Sequence, residues 1–374
     1  MHSKIKVISL FSGAGGFDIG FESTKKFQTV AVVESNQVYI DTLRNNQGLK
    51  LNGKTHFLSK SKILNLDVKN ISGTELLDKS GINSKKDVFV IIGGPPCQSF
   101  SVIGKRLGLR DTRGMMIFEF VRLIKECKPQ YFVFENVPGM VNQWGGRVIR
   151  KLTKAFNDIN YKMCSNILNA ADYGAYTRRK RFIMIGTCLN NINPTVPIQT
   201  NVYLKSKFQQ KYFLMSPWLK VKDILEDLPL PNTEDKCGLT HHIATNHTEA
   251  VRNRFSNLEY GQRDYIRKRT RLDPELPSLS LMAGGEGGYV YHIHYKYPRE
   301  LTSRECARIQ GFPDEYVFAG KPLDVAKQIV NAVPVQLSTA IAKQIYKMVQ
   351  QSKPSKKPTT KGNDLPESVH GKAG

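Results

Sequence analysis

Four side chains stand where they could do chemistry together. In GGPPCQSFS (93–101), Cys97 follows two prolines at the end of an apolar run. In ENV (135–137), Glu135 ends another such run, and in RRKRF (178–182) Arg179 and Arg181 alternate onto one face if the segment is extended. An unshifted thiol is only about 3% thiolate at pH 7, so a nucleophilic cysteine needs positive neighbours. Lys105, Arg106, Arg110 and Arg113 supply them, in a glycine-containing loop directly after Cys97. A thiol, a carboxyl group and paired guanidinium groups can attack, protonate and grip a polarised ring. Each also has an ordinary role: a buried filler thiol, a capping carboxylate, arginines on a solvated face or on phosphate.

A second constellation lies at the amino end. LFSGAGGFDIGFE (10–22) follows a strand-like run and opens a helix, and Gly13, Gly15 and Gly16 would let a cofactor approach the backbone. Glu34 ends the next run about 20 residues on, where an acid accepts hydrogen bonds from ribose hydroxyls. Asp18 stands where a dinucleotide fingerprint has its third glycine, so a nucleoside cofactor without a pyrophosphate fits better than NAD. Asp67, in NLDVKN, could meet an adenine amino group beyond the following strand, or be an ordinary turn residue.

These residues need a frame that converges them. IKVISLF (5–11), TVAVVE (29–34), DVFVIIGG (87–94), QYFVFENV (130–137) and KRFIMIGT (180–187) read as strands. Their near-continuous Val, Ile and Phe predict burial on both faces, as in a parallel sheet covered by helices. GMMIFEFVRLIKEC (114–127) reads as a crossover helix. The fold class expected is α/β, a doubly wound Rossmann-like sheet whose ligands sit beyond the carboxyl ends of the strands, with a second, smaller irregular domain.

The 374-residue chain is long enough for that core and a second module. Lys plus Arg exceed Asp plus Glu by 55 to 32, a net charge of +23. A polyanion accounts for that excess where a neutral small substrate does not. The six cysteines (97, 127, 164, 188, 237, 306) form no C-x-x-C pair, which argues against a zinc site or disulfide framework and for a reducing setting. His241, His242, His247, His292 and His294 match no closed zinc spacing, so no metal is expected. The first apolar run is too short for a signal peptide and no stretch reaches membrane-spanning length; a soluble, cytoplasmic protein is the expectation.

LFSGAGGFDIGFE, GGPPCQSFS, ENVPGM, RRKRF, RELTSRECARIQGFPDEY and QIVNAVP, in that order, resemble the C5-cytosine-specific DNA methyltransferases of bacterial restriction–modification systems. The likeness covers roughly residues 4–188 and 298–349. It implies that Phe11, Gly13, Gly15, Glu34, Asp67, Pro96 and Asn331 surround S-adenosylmethionine, and that Cys97 attacks C6 of a flipped-out cytosine. It further implies Glu135 on N3, Arg179 and Arg181 on the ring, and Gln98, Ser99, Lys105, Arg106 and Arg113 on DNA. This chain reads YGAYTRRKR where the family often has YGVPQxRxR, so Tyr176 and Thr177 replace Pro and Gln while both arginines remain.

The expected organisation is a catalytic and cofactor-binding domain over 1–190, a target-recognition domain over 191–319, a return to the catalytic domain over 320–351, and a disordered basic tail over 352–374. Gly284, Gly285, Gly287 and Gly288 could form a groove-entering loop or a plain turn, and Arg304 and Glu305 read as structural ties. The partners implied are double-stranded DNA and a cognate restriction endonuclease, with a monomer expected. Two other readings share the same blocks: a tRNA-type RNA cytosine-5 methyltransferase, and a non-catalytic DNA-binding relative. The stretch of more than 100 residues between RRKRF and RELTSRE fits a DNA-reading module, and intact Cys97, Glu135, Arg179 and Arg181 argue against a dead copy.

Overall fold

The computed structural model describes residues 4–51, 53, 55–96, 115–143, 145–203, 215–231, 239–283 and 289–352. In chain order its main elements are β1 (Ile5–Leu10), α1 (Gly16–Ser23), β2 (Phe27–Glu34), α2 (Gln37–Asn45), β3 (Lys50–Leu51), β4 (Thr55–His56), β5 (Lys62–Asn65), α3 (Gly73–Ser80), β6 (Phe89–Gly93), α4 (Met115–Cys127), β7 (Tyr131–Asn136), α5 (Arg147–Asn157), β8 (Lys162–Asn169) and β9 (Lys180–Thr187). There follow β10 (Asn201–Val202), β11 (Ser216–Pro217), α6 (Val221–Leu225), α7 (Glu249–Ser256), β12 (Met282–Ala283), β13 (Tyr289–Val290), α8 (Ser303–Gln310), α9 (Pro322–Asn331) and α10 (Val335–Gln351).

Seven strands form one sheet in the order β5-β2-β1-β6-β7-β9-β8. The first five are parallel, and β9 runs antiparallel to both β7 and β8. The sheet is therefore predominantly parallel, as its apolar runs imply, with an antiparallel pair at one edge. β6 and β7 are buried at every position and β1 at all but one, as their unbroken apolar runs require. The two edge strands carry no such run. KILN and KMCSNILN are mostly half-buried or exposed, and so they were not legible as strands.

Helices cover both faces. On one, Phe120 of α4 packs edge-on against Phe132 and Phe134 of β7, and Phe156 of α5 stacks on Phe132 with ring centroids 4.2 Å apart. On the other, Phe17 and Phe21 of α1 join Ile341 and Ile345 of α10 over Val7, Val90 and Val133. α10 thus returns the end of the described chain to its beginning, where Ser338 Oγ donates to the Phe17 carbonyl at 2.6 Å. A third cluster, including Leu43, Phe57, Leu272, Tyr291, Ile309, Tyr316 and Ile329, joins α2, α8 and α9 to the segments before them.

α8 starts in a capping box between Thr302 and Glu305 and ends at Gly311. Arg304 is completely buried and donates to Thr240, Pro313 and Tyr316, while Glu305 pairs with Arg299 at 2.7 Å. Both are structural ties. Burial pushes His292 and His294 down to about 4, so both imidazoles are neutral. Among the described residues no helix is long and apolar enough to cross a membrane.

Candidate active site

The chain leaves β1 in one direction across the sheet and reaches β6 on the other side, which opens a crevice between the ends of those strands. A cavity of about 410 Å³ lies there. Its walls are the turn after β1, Glu34 and Ser35 after β2, Gly94–Pro96 after β6, Glu135–Val137 at the end of β7, Arg181 of β9, and Asn331–Val333 between α9 and α10. A smaller hollow of about 70 Å³ shares Phe11, Glu34, Ser35 and Pro96 with it and adds Leu66, Asp67, Val68 and Met116.

Glu34 organises the amino-terminal wall. One carboxylate oxygen accepts the Gly13 N–H at 2.9 Å, and the other accepts those of Ser35 and Asn36, each at 2.9 Å. Asp67 caps the following turn by accepting the Lys69 N–H at 3.0 Å. Tyr39 and Asn331 reach the cavity from α2 and α9.

The opposite wall is polar and buried. Arg181 Nε lies 2.8 Å from Glu135 Oε1. Burial pushes the Glu135 carboxyl up and the Arg181 guanidinium opposes that rise. The net direction is upward, towards a group that can hold a proton nearer neutrality. Gly94 makes room for it: a Cβ at that position would stand 2.5 Å from Glu135 Oε2. Asn136 Nδ2 donates to the Pro95 carbonyl at 3.1 Å, tying the loop after β6 to the end of β7.

Two of the expected site residues stand off the cavity. Arg179 shares a face with Arg181, but it does not line the cavity. Its guanidinium donates to the Leu281 carbonyl at 2.8 Å and to the Val330 carbonyl, joining β9 to the start of β12 and the end of α9. Gly15 does not line the cavity either. It caps α1 with φ 75°, and a Cβ there would stand 2.9 Å from Leu43 and Phe57, so its smallness serves helix packing. Cys97, Gln98, Ser99, Lys105, Arg106, Arg110 and Arg113 lie outside the described residues, as do Cys237, residues 284–288 and 353–374.

Sequence reasoning missed Ser9, Ser12, Tyr39 and Val333 as cavity residues, and Asn136 as the tie to Pro95. Asn136 had a signal, being the middle letter of ENV. Tyr39 had none, since it sits among the ordinary positions of an amphipathic helix.

The site therefore sets a protonatable carboxyl and a guanidinium across from a backbone-lined cavity large enough for a nucleoside. The model of the family described as C-5 cytosine-specific DNA methylase matches residues 5–347. The chain is 32% identical over 370 residues to the type II methyltransferase M.FnuDI of Fusobacterium nucleatum, covering 94% of this chain and 97% of that one. It is 33% identical over 355 residues to the type II methyltransferase M1.HphI of Haemophilus parahaemolyticus, covering 91% and 86%. A solved structure of a prophage-encoded DNA modification methyltransferase from E. coli superposes with a TM-score of 0.69 at 28% identity, covering 93% of this chain and all of that one. With the site and these likenesses in agreement over nearly the whole length, the chain belongs to the C-5 cytosine-specific DNA methylase family.

Proposed function

We propose that this protein methylates C5 of one flipped-out cytosine within a short DNA sequence, as the modification enzyme of a restriction–modification system. The observation that carries the reading is the buried Glu135–Arg181 pair, which faces the same cavity as Pro96, the residue before Cys97. Type II methyltransferases among the relatives support the biological setting, and a cognate endonuclease acting on the same site is the partner it calls for. The remaining expectations are a monomer working in the cytoplasm.

The cavity lining suits S-adenosylmethionine: the Glu34 carboxylate and backbone amides would receive its polar groups, and a second hollow holds Asp67. Phe11, Gly13, Glu34, Asp67, Pro96 and Asn331 would hold it, and when bound it supplies an electrophilic methyl group on a sulfonium.

Cys97 is the nucleophile. Cytosine C5 is too weakly nucleophilic to take a methyl group unaided, and addition of a thiolate at C6 leaves enamine-like carbon at C5. Glu135, as the acid, hydrogen-bonds N3 and offsets charge developing there; its burial serves that role. Arg181 holds the carboxyl group and the ring edge. Arg179 acts at a distance, by positioning β9. Once C5 carries the methyl group, its proton leaves to a water and Cys97 departs, which restores the aromatic ring. Gln98, Ser99, Lys105, Arg106 and Arg113 contact the DNA around the flipped base. Residues 1–190 with 320–351 form the catalytic unit and residues 191–319 read the target.

The test is bisulfite sequencing of plasmid DNA from a host lacking cytosine methylation, expressing this chain or its Cys97→Ala variant. One protected cytosine within a recurring short sequence, lost in the variant, is the expected result. No protected cytosine from folded protein that binds S-adenosylmethionine would overturn the reading in favour of RNA modification or DNA binding alone.

A further inference from the structure

Beneath the turn after β1 lies a polar chain that the reaction leaves unused. Asp18, in the first turn of α1, is fully buried. Its Oδ2 stands 3.1 Å from Ser9 Oγ, Ser9 Oγ stands 3.0 Å from Ser12 Oγ, and Ser12 Oγ is 3.1 Å from the Ser9 carbonyl. Both serines line the cofactor cavity. Asp18 Oδ1 is buried without a hydrogen-bond partner among the described residues, and so is the hydroxyl of Thr29.

The turn needs holding. Phe11, Gly13 and Gly15 all take left-handed backbone, with φ of 54°, 55° and 75°. For Phe11 that conformation is strained and persists only where surrounding contacts impose it. Glu34 holds the turn from β2, Tyr316 holds it by donating to the Ala14 carbonyl at 2.7 Å, and the Asp18–Ser9–Ser12 chain holds it from below.

We propose that Asp18 is a positioning residue of the cofactor cavity: through Ser9 and Ser12 its carboxyl group sets the turn that receives S-adenosylmethionine. The inference rests on the cofactor assignment made above.

The Ser9 hydroxyl donates to Asp18 Oδ2, and the Ser12 hydroxyl donates to Ser9 Oγ or to the Ser9 carbonyl. A fully desolvated carboxylate is unfavourable, so burial favours the neutral acid, whose carbonyl oxygen still accepts from Ser9. Ionisation would put an uncompensated charge beneath the turn.

Among the described residues, the groups facing Asp18 add no compensating cation. Glu22 lies one turn on in α1, Thr29 in β2, and the hydroxyl of Tyr316 is committed to Ala14; Lys4 acts on Glu22. Burial pushes Asp18 up to about 8 and Glu22 up to about 7. Asp18 is thus mostly neutral near pH 7.

The test titrates S-adenosylmethionine into the full chain, without DNA, near pH 7 and near pH 9. Wild type, Asp18→Asn and Asp18→Ala are compared, with KM and kcat measured on plasmid DNA. Asparagine keeps an acceptor for Ser9 and cannot ionise, so Asp18→Asn should bind like wild type near pH 7 and keep its affinity near pH 9. Wild-type affinity should fall by up to about tenfold over that interval, following the fraction still protonated. Asp18→Ala should raise the cofactor KM about tenfold at both pH values with kcat changed much less. If the alanine chain fails to fold, the asparagine comparison decides alone. Asp18→Asn binding as poorly as Asp18→Ala, or wild type and Asp18→Asn sharing one pH profile, would overturn the proposal. Wild type failing to bind at all would instead overturn the cofactor assignment, and this inference with it.

Discussion

Glu135 Oε1 and Arg181 Nε meet at 2.8 Å across the antiparallel β7–β9 pair, both side chains buried in the cavity wall. Burial raises the Glu135 pKa and Arg181 opposes the rise. A required acid is lost as pH climbs through its pKa. Arg181→Gln removes the opposing charge, so the alkaline limb of the kcat/KM profile should move to higher pH while the rate falls. Glu135→Gln should lower kcat by about 100-fold or more and leave cofactor affinity near wild type. Steady-state profiles on an oligonucleotide duplex check both, and an alkaline limb moving to lower pH would contradict the assignment.

Gly94→Ala should cost activity out of proportion to stability. The new Cβ would meet Glu135 Oε2 at 2.5 Å and push the carboxyl out of line with Arg181. Thermal unfolding and kcat, measured together, check this. A variant with wild-type kcat would mean that the carboxyl need not sit where it does.

Glu34→Ala strips an acceptor from the backbone N–H groups of Gly13, Ser35 and Asn36. Cofactor affinity should fall by at least about tenfold, since the part-buried Gly13 N–H in the turn loses its acceptor, and an unpaired donor there costs roughly 1–3 kcal/mol. Glu34→Gln retains one acceptor oxygen and should lose less. Calorimetric titration with S-adenosylmethionine ranks the three proteins.

Stability should decline as pH rises from mildly acidic to mildly basic. Asp18 and Glu22 are raised from 3.8 and 4.5 to about 8 and about 7, so the folded chain binds more protons than the unfolded one between those values. Their contribution is complete below the unfolded pKa values and is lost as pH passes through the folded ones. Urea unfolding at several pH values should show a shallower slope in Asp18→Asn than in wild type.

Arg179→Ala should destabilise by about 2 kcal/mol or more, because the buried Leu281 and Val330 carbonyls lose a charged donor. Arg181→Ala at the cavity should instead act mainly on rate. Comparing unfolding midpoints with kcat separates the two arginines, and equal loss of kcat at wild-type stability would put Arg179 back on the ring.

Legibility tracked burial. The five central runs carry unbroken apolar residues because both their faces are covered, and their ends were readable to within two residues. The edge strands β5 and β8 pack one face or less, so their composition resembles that of loops. The glycine turn was recognisable as a turn, but which glycine meets a ligand and which meets Leu43 depends on where α2 lies.

By itself the sequence determined the reaction class through the likeness its six ordered blocks carry, and the thiol, acid and guanidinium groups in those blocks suit covalent attack, protonation and charge stabilisation. It also determined the sheet's buried centre. Only the tertiary structure decided the division of labour between two arginines two residues apart. A strand's alternation puts both on one face, yet the carbonyls of Leu281 and Val330, brought in from about 100 and 150 residues away, capture Arg179 and leave Arg181 to Glu135. The same holds for Asp18, whose place behind two serines exists because α1 turns back beneath the end of β1. Partners so distant in sequence are set by packing, and local pattern carries no record of them.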